Sequence, residues 1–267
     1  MNIFIYYFNF TDYKDGVIIT EKRGRDKMNR NLISIEAVEL KKTFRVKKRE
    51  GGLVTGRNYT QIEAVKDVSF TIQKGDIAGF IGANGAGKST TIKMLAGILM
   101  PDGGSIRIDG MDYRKRRREI MMKIGVVFGQ RSVLCWDIPV IESFRLFKDM
   151  YGISKERYDR NMELFTDILF LDEPTIGIDV LAKDKIRDFI SYINRERHTT
   201  VILTMHDISD IEALCHRILV IDRGSLLYDG SPDAMKRSYI LQYGGSERGA
   251  EINLEQIVKH IYEGKFL

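Results

Sequence analysis

The chain has 267 residues, of which 43% are hydrophobic and 30% charged, a composition typical of a globular protein with a sizeable core. Its net charge is only +5 and its short basic runs lack interleaved aromatic residues, so we expect no nucleic-acid partner. Two cysteines are too few for a disulfide framework, and no apolar run approaches the roughly 18–20 residues of a membrane-spanning helix.

The order of sequence patterns divides the chain into three parts. Residues 1–27 form an N-terminal extension that we expect to be poorly ordered, and Met28 is an alternative start because the regular pattern begins at Leu32. Residues 28–236 alternate between strand and helix patterns, which predicts an α/β domain. Residues 237–267 form a C-terminal tail with one predicted helix. Its apolar stripe follows a candidate N-cap, Asn253, and consists of Leu254, Ile257, Val258 and Ile261.

The first elements of the α/β domain surround a glycine-rich segment. A basic loop at 45–63 precedes a predicted strand at 64–72, and a short apolar strand follows at 77–81. Beyond the glycines, apolar residues at helical spacing predict a helix that ends at 101–104, and these residues are Ile92, Leu95, Ile98 and Leu99. Residues 106–108 then alternate between apolar and polar, as in a hairpin strand.

The glycine-rich segment itself has the form G-x-x-x-x-G-K-[ST]. Its glycines allow backbone N–H groups to point inward at phosphate oxygens, and the following helix adds the positive end of its dipole. Lys88 is placed to reach the β- and γ-phosphates, and the Ser89 hydroxyl is placed to hold Mg²⁺. We therefore predict a phosphate-binding loop made of Gly82, Ala83, Asn84, Gly85, Ala86, Gly87, Lys88, Ser89 and Thr90.

Two later strands end in polar side chains. The apolar run 168–171 leads into Asp172 and Glu173, and ligands of open α/β sheets bind at such strand ends. Asp172 can hold the water shell of Mg²⁺, and Glu173 can polarise a water for attack on a γ-phosphate. The run 201–205 leads into His206, whose imidazole can donate to a γ-phosphate oxygen. Alone, the first pattern also fits a strand end that meets solvent, and the second also fits a histidine that makes a structural hydrogen bond.

Together with Gln130, these residues resemble the nucleotide-binding domain of an ATP-binding-cassette (ABC) transporter. The resemblance covers roughly 32–236 and is closest to export-type cassettes, whose membrane domain is a separate chain. It rests on the segments 74–76, 82–90, 126–130, 136–140, 171–175, 177–179 and 205–207. It implies an α/β fold of the P-loop NTPase cassette type, with a mostly parallel central sheet, an antiparallel β part and a helical subdomain.

The resemblance also implies roles for individual residues. The implied catalytic residues are Glu173, His206 and Lys88, and the implied Mg²⁺ ligands are Ser89, Gln130 and Asp172. Gln130 would in addition sense the γ-phosphate, and Asp179 would lie at a dimer interface. Phe44 fits the position of an aromatic side chain that stacks on adenine, and the alternative is a core phenylalanine.

One element of the family pattern is missing. ABC cassettes carry a signature of the type L-S-G-G-Q between the glutamine loop and the Asp-Glu strand, and this chain has none. Gln130 and Asp172 are only 42 positions apart, so we predict an internal deletion and a helical subdomain truncated around 140–167. In the family, the signature of one cassette contacts the γ-phosphate held by the other through a helix N-terminus.

The resemblance implies an ATP-binding subunit, ATP-hydrolysing by family, that powers export of an unknown substrate. ATP and Mg²⁺ would be its cofactors, and a membrane-spanning subunit and a second cassette its partners. It would be cytoplasmic and peripheral on the inner face of the cell membrane through its partner. The missing signature favours an alternative, a non-catalytic ATP-binding remnant, whereas the presence of Glu173 and His206 favours the enzyme.

Overall fold

The architecture consists of two β-sheets with helices packed around them. The structure is a computed structural model that describes residues 33–47, 59–121, 123–128, 149, 154–156, 167–175, 180–205, 207–243 and 253–266. The predicted extension 1–27 and nearly all of the predicted truncated subdomain at 140–167 lie outside these residues, so both stay predictions. None of the helices in the described ranges is long and apolar enough to cross a membrane.

The smaller sheet is antiparallel and has the strand order β2-β1-β4-β5. Its strands are β1 (Ile33–Lys47), β2 (Tyr59–Gln73), β4 (Gly103–Ile108) and β5 (Met111–Asp112). The prediction of a loop over 45–63 is wrong at both ends, because β1 continues to Lys47 and β2 begins at Tyr59. Cross-strand pairs such as Phe44 with Ile62 and Val46 with Thr60 extend the hairpin, since β-branched and aromatic residues favour a pleated surface.

The larger sheet has the order β10-β9-β3-β8-β7-β6 and is parallel except for β10. Its strands are β3 (Ile77–Ile81), β6 (Ile124–Phe128), β7 (Ile168–Asp172), β8 (Thr200–Thr204), β9 (Arg217–Asp222) and β10 (Ser225–Gly230). Every residue of β3, β7 and β8 is buried, which explains their uninterrupted apolar runs. The predicted mostly parallel sheet with an added antiparallel part is confirmed.

Six helices are described: α1 (Lys88–Leu95), α2 (Arg117–Met121), α3 (Val180–Arg197), α4 (Ile208–Leu214), α5 (Pro232–Tyr243) and α6 (Leu254–Tyr262). The prediction that α1 extends to Leu99 is wrong, because the helix ends at Leu95. Gly97 has a left-handed φ of 68°, and a Cβ there would lie 1.1 Å from the Tyr113 hydroxyl oxygen. The turn therefore requires glycine and redirects the chain before the predicted stop.

The larger sheet has a hydrophobic core on each face. Alternate residues of β3 show the division, since Ala78 and Phe80 face the smaller sheet and α1, whereas Ile77 and Ile81 face α3, α4 and α6. The tail helix α6 begins after Asn253, whose side chain accepts a hydrogen bond from the Glu255 N–H, and its predicted apolar stripe lies in the second core. Helix α5 runs across residue 236, where the sequence placed the end of the cassette domain.

Candidate functional site

The glycine-rich segment forms the turn between β3 and α1, at the carboxyl end of the parallel strands. Gly87 is the N-cap of α1 and has a φ of 111°, and a Cβ there would lie 2.5 Å from the Ala64 carbonyl oxygen. A Cβ on Gly82 would likewise lie 2.6 Å from the Ile221 carbonyl oxygen. Neighbouring backbone therefore leaves room only for glycine at both positions. The tip of the loop, Ala83 to Gly85, is exposed and accessible to a ligand.

The turn between β9 and β10 is hydrogen-bonded to the phosphate loop and to β2. The Gly224 N–H donates to the Ala86 carbonyl oxygen at 2.9 Å, and the Gly224 carbonyl oxygen accepts from the Lys66 N–H at 2.6 Å. Gly224 has a φ of 81°, which this turn requires. Sequence reasoning missed this support because Lys66, Ala86 and Gly224 are far apart along the chain, and a single glycine carries no motif.

Lys88 lies inside the loop, with only 5% of its surface exposed. Its Nζ donates to the carbonyl oxygens of Gly82 at 2.6 Å and Ala83 at 3.2 Å. Burial lowers the pKa of Lys88 from its usual 10.5, and the carboxylates of Glu173 and Asp172 partly oppose this by raising the pKa. A buried ammonium group whose hydrogen bonds within the described residues go to neutral carbonyl oxygens gains from the approach of an anion.

Asp172 joins the loop to the rest of the sheet. It ends β7 and is 8% exposed, and its Oδ1 accepts a hydrogen bond from the Ser89 Oγ at 3.0 Å. Because β8 lies between β3 and β7, this bond connects the end of β7 to the helix that follows β3, a strand that is not its neighbour in the sheet. The structure thus brings together the predicted residues Lys88, Ser89 and Asp172.

Thr204 is a member of this cluster that sequence reasoning missed. It ends β8 opposite Asp172, is fully buried, and donates through its Oγ1 to Asp172 Oδ1 at 2.7 Å. The same Oγ1 accepts a hydrogen bond from the Glu173 N–H at 2.9 Å. A threonine in an apolar strand carries no signal of its own, and only the pairing of β7 with β8 shows its role.

Glu173 follows β7 and has a left-handed backbone, with a φ of 56°. Its N–H also donates to the Thr204 carbonyl oxygen at 3.1 Å. A left-handed conformation costs a residue with a Cβ on the order of 1–2 kcal/mol. Such strain is concentrated at functional sites, where surrounding bonds hold it in place.

Phe44 lies outside both hydrophobic cores, which argues against the alternative of a core phenylalanine. Its surface is 37% exposed, and the Lys42 Nζ is 5.8 Å from the centroid of its ring. Its cross-strand partner Ile62 is two residues before Ala64, whose carbonyl oxygen borders the phosphate loop at Gly87. The aromatic ring is therefore on the part of the hairpin that leads to the loop.

Comparisons with known proteins agree with this geometry. The ABC transporter family profile matches residues 65–175. NatA, an ABC transporter ATP-binding protein of Bacillus subtilis, is 29% identical over 211 residues, which cover 66% of this chain and 85% of NatA. The Nod factor export ATP-binding protein I of Paraburkholderia xenovorans is 31% identical over 221 residues, covering 69% of this chain and 71% of the relative. The chain belongs to the ATP-binding cassettes of ABC transporters.

Solved cassettes share the fold. The ATP-binding subunit of an ABC transporter superposes with a TM-score of 0.60 at 22% identity, covering 85% of this chain and 99% of that one. The dimeric cassette MJ0796, solved bound to ADP and Pi, superposes with a TM-score of 0.56 at 21% identity, covering 74% of this chain and 98% of that one. The expected P-loop NTPase fold is therefore confirmed, and ATP binding is the common property of the family.

The residues of the cassette that are described fit a nucleotide-bound Mg²⁺. Ser89 and Asp172 present oxygen atoms beside the loop, and Mg²⁺ is usually held by one or two protein oxygens together with substrate phosphates. Within the described ranges no group of three or more His, Cys, Asp or Glu side chains could hold a metal alone. The predicted site residues Gln130, His206 and Asp179 lie outside the described residues, and their roles stay predictions.

Proposed function

We propose that this cassette binds Mg-ATP at the 82–90 loop and that hydrolysis of the bound ATP powers export through a membrane-spanning subunit. The observation that carries the proposal is the position of Lys88, buried inside a loop shaped by glycines and beside the Ser89–Asp172 pair. Phe44, on the adjoining hairpin, supplies the exposed ring for adenine.

The site residues have different roles in the proposed phosphoryl transfer. Lys88 and the loop N–H groups stabilise phosphate charge, and Glu173 orients and polarises the attacking water. Mg²⁺, held through Ser89 and Asp172, would supply charge neutralisation at the phosphate oxygens. By the family resemblance, Gln130 completes the metal site and His206 donates to the γ-phosphate.

Turnover by the chain alone is expected to be slow. The sequence lacks the signature whose helix N-terminus contacts the γ-phosphate across the dimer. Loss of one preorganised donor typically lowers the rate by on the order of 10²–10³. We propose that a second cassette with an intact signature completes the site over this chain's phosphate loop.

The names of two relatives support export as the direction of transport. The Nod factor export protein is an export subunit by name, and LnrL of Bacillus subtilis, 31% identical over 207 residues, is a linearmycin resistance ATP-binding protein. We propose export as this chain's direction as well, with the cassette peripheral on the inner face of the membrane through its partner.

The proposal is tested by the effect of Mg-ATP on thermal unfolding. A ligand at 100 times its dissociation constant stabilises the folded state by roughly 2.7 kcal/mol. We expect Lys88→Ala to lose most of this gain, whereas Lys93→Ala, an exposed lysine of the same helix, keeps it. An unmodified chain whose melting temperature is unaffected by millimolar Mg-ATP would refute the proposal.

A further inference from the structure

The Thr204 hydroxyl is hydrogen-bonded to both acidic residues of the site, Asp172 and Glu173. It donates one hydrogen bond to Asp172 and accepts one from the Glu173 N–H, so its single proton and one lone pair are both engaged. The residue is fully buried. These two bonds together set the orientation of the hydroxyl.

The bond to Asp172 fixes which carboxylate oxygen faces the loop. The Ser89 and Thr204 hydroxyls both donate to Oδ1, at 3.0 Å and 2.7 Å, and neither bond uses Oδ2. Two donors on one oxygen restrict rotation of the carboxylate about its own axis. The orientation of a group that faces a metal is commonly set by such outer hydrogen bonds.

The bond to Glu173 stabilises a strained backbone. The Glu173 N–H is shared between the Thr204 Oγ1 at 2.9 Å and the Thr204 carbonyl oxygen at 3.1 Å. Only the first of these depends on the side chain. The left-handed φ of 56° aims the Glu173 side chain, so the hydroxyl contributes to the direction of the proposed general base.

We propose that Thr204 is a positioning residue that couples the Mg²⁺-facing carboxylate of Asp172 to the backbone turn of Glu173. In this proposal it acts through the two acids and is not itself a ligand of the nucleotide or the metal. This inference rests on the proposed Mg-ATP site. Loss of the hydroxyl is expected to weaken the effect of Mg²⁺ on nucleotide affinity and to leave metal-free nucleotide affinity unchanged.

The experiment measures ATP affinity by isothermal titration in EDTA and in Mg²⁺, and compares the ratio of the two between variants. Thr204→Val keeps the shape of the side chain and removes the hydroxyl, and we expect it to lower the ratio about tenfold, as outer-shell substitutions do. Thr204→Ala is expected to give the same loss, and Thr204→Ser, which keeps the hydroxyl, should stay within about twofold of the unmodified chain.

Thr200→Val is the matched control. Thr200 is a fully buried threonine at the opposite end of the same strand, and its Oγ1 accepts from the Gly75 N–H at 3.0 Å. We expect Thr200→Val to reduce stability and leave the Mg²⁺ ratio unchanged. An unchanged ratio in both Thr204→Val and Thr204→Ala, an equal loss in Thr200→Val, or no recovery in Thr204→Ser would each overturn the inference. An unmodified chain that binds no ATP would instead remove the proposed function on which it rests.

Discussion

Gly79 sits in the middle of β3 where the strand is covered by α4, and replacing it with alanine tests how tightly these elements pack. A Cβ on Gly79 would lie 2.7 Å from Ile211 Cγ2 and 2.9 Å from Cys215 Sγ. Carbon atoms in good contact are about 3.5–4.0 Å apart, so the neighbours must move by roughly 1 Å. Both neighbours are buried, with exposures of 0% and 4%.

The expected cost of Gly79→Ala follows from this overlap. Overpacking of a close-packed core by one methyl group costs about 1–3 kcal/mol, which for a chain of this size lowers the melting temperature by about 2–12 °C. Urea unfolding followed by circular dichroism measures the free-energy change directly. Gly103→Ala is the control, because a Cβ there lies no closer than 3.4 Å to the flexible Lys41 side chain. Equal unfolding free energies for Gly79→Ala and the unmodified chain would refute the packing argument.

Three further predictions concern charge and catalysis. ATP affinity should fall as the pH rises toward 10.5, because burial lowers the pKa of Lys88 and the neutral amine binds phosphate less well. Over the same pH range Lys88 binds more protons in the unfolded chain than in the folded chain. Its contribution to folding stability therefore rises with pH. Phosphate release by the chain alone should be well below the roughly 1 s⁻¹ at the low end of typical enzymes, and a rate above this that Glu173→Gln abolishes would show that the signature is dispensable. Arg187→Met should destabilise the fold by about 1–3 kcal/mol, because it leaves the buried Asp210 carboxylate without the partly exposed guanidinium 3.6 Å away; urea unfolding that shows no loss contradicts this.

The phosphate loop and the strands beside it were predictable because their signals are local. The residues of the motif are contiguous, and the apolar runs of β3, β7 and β8 reflect burial on both faces of a parallel sheet. The motif at 82–90 therefore identified the turn between β3 and α1 directly. Strand ends at one edge of the sheet then placed Asp172 and Glu173 beside it.

The supporting contacts were not predictable because they join distant parts of the chain. Thr204 becomes significant only through the register of β7 against β8, and Gly224 only through its bonds to Lys66 and Ala86. The early end of α1 depends on Gly97 lying against Tyr113, which follows it by 16 positions. In each case the role of the residue depends on a contact with a residue distant in sequence. The pattern of apolar residues within one segment does not predict such a contact.

Equilibrium titration of Mg-ATP into the purified chain tests the central claim most directly. The structure has one phosphate loop with one buried lysine among its described residues, and the account predicts saturation at one ATP per chain. It further predicts that Lys88→Ala removes most of this binding while Lys93→Ala preserves it. Absence of saturable binding by the folded chain, or equal affinity in Lys88→Ala, would contradict the claim that the 82–90 loop is the nucleotide site.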